Sequence, residues 1–206
     1  MNEAITDISH AEKLGQISRT KSFLGREFLT WLWYFIDSNS ESAIKVTHSN
    51  NSTPLHVTLW VDDKIVLDSN SGSGHQHVMR GGDPSQSPEA SVALATGKTV
   101  RELKLGMNIH GVGDFSTNLN ASDQNPRSIQ LPGDDNLGDT EDVSFLPAHQ
   151  RIKQTTLLLN VIDYLFGKFI EERISDKWLD DSQSDIKEWI VSRSAQVTNS
   201  MNHIIH

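Results

Sequence analysis

Five groups of residues in this chain have the types and spacing to do chemistry. His75-Gln76-His77 would set two imidazoles on one side of an extended segment, as metal ligands are set, but a third ligand and its supporting partners are not identifiable. Asp62-Asp63 and Asp134-Asp135 offer paired carboxylates, which in a two-metal nuclease must converge on cations about 4 Å apart. Both pairs read as turn or linker aspartates, where the side chain caps local backbone. Ala95-Thr96-Gly97-Lys98-Thr99 contains the GKT ending of a phosphate-binding loop, but the first glycine of that loop is replaced by Val92. The order is also helix into strand, so Gly97 reads as a helix C-cap. Glu171-Glu172-Arg173 with Asp176-Lys177 reads as a solvated helix end. Serine, histidine and acid do not fall into a recognisable hydrolase pattern. A non-enzymatic protein without metal or cofactor is therefore expected, with a nuclease built on the aspartates as the weakest alternative.

Cations remain. Arg19, Lys21, Arg80, Lys98, Arg101 and Lys104 are the candidates for phosphate contact, and the last four come from one β-rich region and are expected to share a surface. The whole chain gives no positive field, with a formal net charge of -9 over 206 residues and a pI of about 5.4. Any polyanion must therefore meet a local patch. The absence of cysteine removes disulfides, thiolate metal sites and cysteine nucleophiles, and fits a reducing cytoplasm. Residues 1–20 are polar and lack the apolar run of a signal peptide.

The elements that must carry these residues follow from periodicity. FLGREFLTWLWYFI (residues 23–36) is too short and too charged, at Arg26 and Glu27, to span a bilayer, which takes roughly 20 apolar residues. Leu24, Phe28, Trp31, Leu32 and Phe35 recur on one helical face after Ser22 as N-cap. Trp33 and Tyr34 flank that face and are expected to meet the C-terminal helices or a second subunit. Alternation predicts strands at 43–47, 55–61, 64–68, 76–80, 100–109, 115–121 and 127–131, with Asp62-Asp63 as a tight turn. Ser87-Pro88-Glu89 predicts a short helix with its cap and N1 proline. Beyond the acidic linker PGDDNLGDTED, Pro147 opens a long helix whose apolar face runs through Ile152, Leu158, Leu159, Ile162, Leu165, Phe166 and Phe169. A last helix is predicted from Ser182, with Asp185 completing a capping box. The fold class is α+β: an antiparallel sheet packed against an N-terminal aromatic-rich helix and two C-terminal helices. The domains are 1–20 (polar lead), 21–132 (helix plus sheet), 133–145 (acidic linker) and 146–206 (C-terminal helices on the sheet).

Several segments, taken in order, resemble the C-terminal part of the RdgC recombination-associated family. They are Phe28-Leu29-Thr30-Trp31-Leu32-Trp33, then His77-Val78-Met79-Arg80 before Ser87-Pro88-Glu89-Ala90. Ala95 through Leu105, Phe115-Ser116-Thr117-Asn118-Leu119, Ile129-Gln130-Leu131-Pro132 and the apolar helix from Leu157 to Phe169 follow. The resemblance covers roughly residues 22–175. It implies a clamp-like, oligomeric protein that binds DNA without sequence preference, restrains recombinase filaments and works in the cytoplasm at the nucleoid. Arg80, Lys98, Arg101 and Lys104 would then neutralise phosphates, with single- or double-stranded DNA and a recombination protein as partners. Three departures stand out: typical members extend further before Phe23, Gly81-Gly82 follows Arg80 where more basic residues are expected, and the helix from Asp181 to Ile205 is additional. The alternative expectation is an interaction or scaffold protein that binds a protein partner through its helices, without DNA.

Overall fold

The computed structural model describes residues 21–40, 42–47, 54–69, 76–123, 125–133 and 148–204. Helix α1 (Lys21–Ser38) is followed by strands β1 (Ile44–Val46), β2 (Leu55–Asp68) and β3 (His77–Arg80). Helix α2 (Pro88–Ala95) leads into β4 (Thr99–Ile109), β5 (Gly113–Asn120) and β6 (Arg127–Gln130). Helices α3 (Ala148–Arg173) and α4 (Gln183–Ile204) complete the chain, joined through a π-helical turn at Trp178–Ser182. All pairings are antiparallel, in the order β1-β2-β4-β5-β6, with β3 also paired to β2. The α+β reading holds.

One face of the sheet is covered. Val57, Leu59 and Val61 of β2 and Leu103, Leu105, Met107 and Ile109 of β4 alternate into the core. There they meet Phe28, Leu29, Trp31, Leu32 and Ile36 of α1, all at most 4 % exposed. Backbone comes close enough at Gly25 that a Cβ there would lie 2.0 Å from the Ala121 carbonyl oxygen. A side chain is thus excluded where α1 crosses the end of β5. Helix α3 packs on α1 through Leu158, Val161, Ile162, Leu165 and Phe169, and Phe28 meets Phe166 edge-on at 5.2 Å. Helix α4 packs on α2 and α1. Trp33, fully buried, meets Trp189 of α4 edge-on at 5.4 Å, and Tyr34 meets the same ring at 5.8 Å.

Local signals formed as physics dictates in the short α2. The Ser87 hydroxyl accepts from Ala90 N–H at 3.1 Å, and Gly97 takes φ +84° after the last turn. Lys98 N–H then bonds Ala93 C=O and Gly97 N–H bonds Leu94 C=O, closing the helix in a Schellman motif. Other expectations need correction. Asp62-Asp63 is not a turn: β2 runs unbroken from Leu55 to Asp68, and the register against β4 shifts between Val61 and Ile65, a bulge. Ser22 lies inside α1, not before it, and Ser182 lies inside the π-helical turn that feeds α4, so neither is an N-cap. Ile152 and Leu159 are exposed, because α3 turns its Leu158–Val161–Leu165–Phe169 stripe to the core instead. The helix end is solvated at Glu171, Asp176 and Lys177, but Glu172 accepts from Trp31 Nε1 at 3.2 Å and Arg173 donates to Glu27 at 2.9 Å, so these two are tied to α1. Pro147, the linker beyond Gly133 and with it Asp134-Asp135 lie outside the described residues, as do residues 1–20 and His75.

Candidate nucleic-acid interface

The other face of the sheet carries none of the four helices' packing. By alternation it presents Thr58, Trp60, Lys104, Gly106, Asn108, Ser116, Asn118 and Gln130. Gly106 faces Trp60 in register, and a Cβ at Gly106 would fall 2.2 Å from Trp60 Nε1, so the indole lies over that glycine. One residue pair further along, β2, β3, β4, β5 and β6 enclose a hollow of about 280 Å³. Lys64, Arg80 and Lys104 line it, with Asp63, Asn118, Ser128 and Gln130.

The β2 bulge organises the charges of this hollow. It brings both aspartates to one ammonium: Lys104 Nζ lies 3.0 Å from Asp62 and 3.1 Å from Asp63. Burial pulls the Lys104 ammonium down, but hydrogen bonds and charge from the two aspartates outweigh it and hold the pKa above the ordinary 10.5. Lys64 Nζ bonds Glu102 at 2.6 Å. Arg80 stands opposite Lys64 in the β2–β3 register and, among the described residues, has no acid within ion-pair distance. Two of the three cations are paired, Lys104 with Asp62 and Asp63 and Lys64 with Glu102, so three acids against three cations leave the net charge around the hollow close to zero. Asn118 Oδ1 is buried there without a hydrogen-bond partner among the described residues.

The four expected cations are only half united. Arg80 and Lys104 share the hollow; Arg101 and Lys98 are not among its lining residues. Arg101 sits where the β2–β4 register slips between Val66 and Leu67, and its guanidinium instead lies 3.7 Å from Asp68, which Arg26 of α1 approaches equally. Lys98 belongs to the α2 cap. Lys64 and Trp60 were missed by sequence reasoning because a turn at Asp62-Asp63 splits the alternation that puts both on this face. Read through a bulge, the same alternation finds them.

The glycine of GKT is the α2 cap, with the helix entering a strand. Among the described residues no group of three histidine, aspartate or glutamate side chains is arranged to hold a metal ion, and His77 is an exposed β3 residue. No helix of the described residues is long and apolar enough to cross a membrane. Compared with known proteins, the chain matches no family model and no curated protein.

Proposed function

We propose that this chain is an RdgC-like, non-enzymatic protein that associates with DNA without sequence preference and acts on recombination or replication intermediates. The observation that carries the reading is the sheet face on which, among the described residues, no helix packs, where an indole at Trp60 stands beside a hollow lined by Lys64, Arg80 and Lys104. Interleaved aromatic and basic side chains on an open sheet suit unpaired bases, which stack on any ring while the backbone meets the cations. The ordered family-like segments support the same reading. Because the Lys64 and Lys104 charges are already paired, the phosphate contact is small, and single-stranded DNA is the better ligand. A cytoplasmic, nucleoid-associated homo-oligomer belongs to this proposal.

The test is an anisotropy titration at low salt with labelled single- and double-stranded oligonucleotides of scrambled sequence. Saturable binding that is indifferent to sequence and tighter for the single strand supports the reading. Absence of binding to both removes it. A second reading, a scaffold holding a protein partner through its helices, is favoured by Ile174 and Leu179, which are 77 % and 71 % exposed in the connection between α3 and α4. A stable stoichiometric complex lost on Leu179→Ser, with DNA binding absent, would select it.

A further inference from the structure

On the helical side of the sheet lies a cavity of about 220 Å³, between α1, the first residue of β4, the π-helical turn and the start of α4. Its walls include Trp31 and Trp178, which are 1 % and 4 % exposed, and Ile186. A cavity of roughly 150 Å³ lined by apolar side chains holds a benzene ring, so this one has room for a ring with a short substituent. Trp178 Nε1 is buried without a hydrogen-bond partner among the described residues, an unusual cost for a wall made only for packing. The cavity is independent of the open sheet face.

Its polar rim decides the ligand class. Of the acids around it, Glu27 accepts from Arg173 at 2.9 Å and Glu172 accepts from Trp31 Nε1. Asp68 lies 3.7 Å from both Arg26 and Arg101. Each of these three acids is thus already faced by a donor or cation. Lys187 at the mouth, by contrast, has no acid within ion-pair distance among the described residues. Arg26 and Gln183 add donors on the same rim. We infer that this cavity is a binding site for a small aromatic carboxylate, with the ring between Trp31, Trp178 and Ile186 and the carboxylate at Lys187. Such a ligand bridges α1 to the start of α4 and stabilises that docking.

The experiment titrates the full chain with 3-phenylpropionate and, separately, with its neutral amide, following tryptophan fluorescence and melting temperature. Saturable binding of the carboxylate with a rise in Tm is expected, with the amide weaker. Lys187 is exposed, so Lys187→Gln should fold normally; it should lower carboxylate affinity about three- to fivefold and leave the amide unchanged. Equal binding of acid and amide, or indifference to Lys187→Gln, overturns the assignment of a carboxylate site. No saturable binding of either compound overturns the site altogether.

Discussion

Removing Arg193 should unfasten α4. Its guanidinium lies 5.1 Å from the Trp33 ring centroid and 5.3 Å from that of Trp189, and donates to Asp37, with the arginine side chain only 9 % exposed. Asp37 also accepts from Trp189 Nε1 at 3.1 Å, so one carboxylate on α1 ties two residues of α4. Arg193→Ala leaves that carboxylate buried with one neutral donor and strips a cation from two rings. Breaking a buried pair by deleting one partner costs about 3–5 kcal/mol. We expect the lower half of that range, since the Asp37 side chain keeps 16 % exposure and the indole N–H. With an m-value of about 2 kcal/mol/M for urea, the midpoint should fall by roughly 1.5–2 M. The double variant Asp37→Leu/Arg193→Met, which removes both charges and keeps the volume, should recover to within about 1 kcal/mol of the parent. The assay is urea unfolding followed by near-UV circular dichroism, to which the packed tryptophans, Trp33 and Trp189 among them, contribute. A loss below about 1 kcal/mol for Arg193→Ala, or a double variant as weak as the single, would mean that the Arg193–Asp37 pair does not fasten α4.

Burial pushes the Asp37 carboxyl above its ordinary 3.8, and the Arg193 charge and the Trp189 hydrogen bond only partly offset this. The folded state therefore holds this proton more tightly than the unfolded one, so the contribution of Asp37 to stability falls as pH rises from 3.8 through the folded value. Asp37→Asn should flatten that part of a Tm–pH profile, and an unchanged profile would contradict the shift. Lys104 behaves in the alkaline range: its raised pKa gives stability that is complete below 10.5 and lost as pH rises through the folded value, and Lys104→Met should remove that loss. Gly25→Ala meets backbone, the Ala121 oxygen at 2.0 Å, and should cost about 3 kcal/mol or more in urea unfolding. Gly106→Ala meets only the Trp60 side chain at 2.2 Å, which can swing away, and should cost less, within about 1–3 kcal/mol.

Where a single physical rule governs a segment, the sequence read correctly. The 3.6-residue period of α1 places Phe28, Trp31 and Leu32 in the core, and the Ser87-Pro88 and Gly97 signals bound α2. The reading failed where two rules compete. Adjacent aspartates look like a turn, yet pairing with β4 on both sides of Asp62-Asp63 holds the strand together and turns the extra residues into a bulge. That bulge decides the candidate site, because it delivers both carboxylates to Lys104 and cancels a charge that spacing alone counts as available. A second register slip carries Arg101 toward Asp68. The outward positions of α3 were equally illegible: between Leu157 and Phe169 apolar residues lie almost all round the helix, and the position of α1 selects the stripe that faces the core.

The central claim, that an open sheet face with few uncompensated cations contacts DNA, is tested most directly by the salt dependence of single-strand binding. Each phosphate neutralised on a single strand contributes a slope of about 0.7 in log K against log salt. With Lys64 and Lys104 paired and Arg80 without an acid partner among the described residues, the slope should lie between roughly 0.7 and 2. Arg80→Ala should lower it by about 0.7, and Trp60→Ala should weaken binding by about 1–3 kcal/mol without changing it. A slope untouched by Arg80→Ala, or affinity untouched by both substitutions, would place any DNA contact elsewhere and contradict the account.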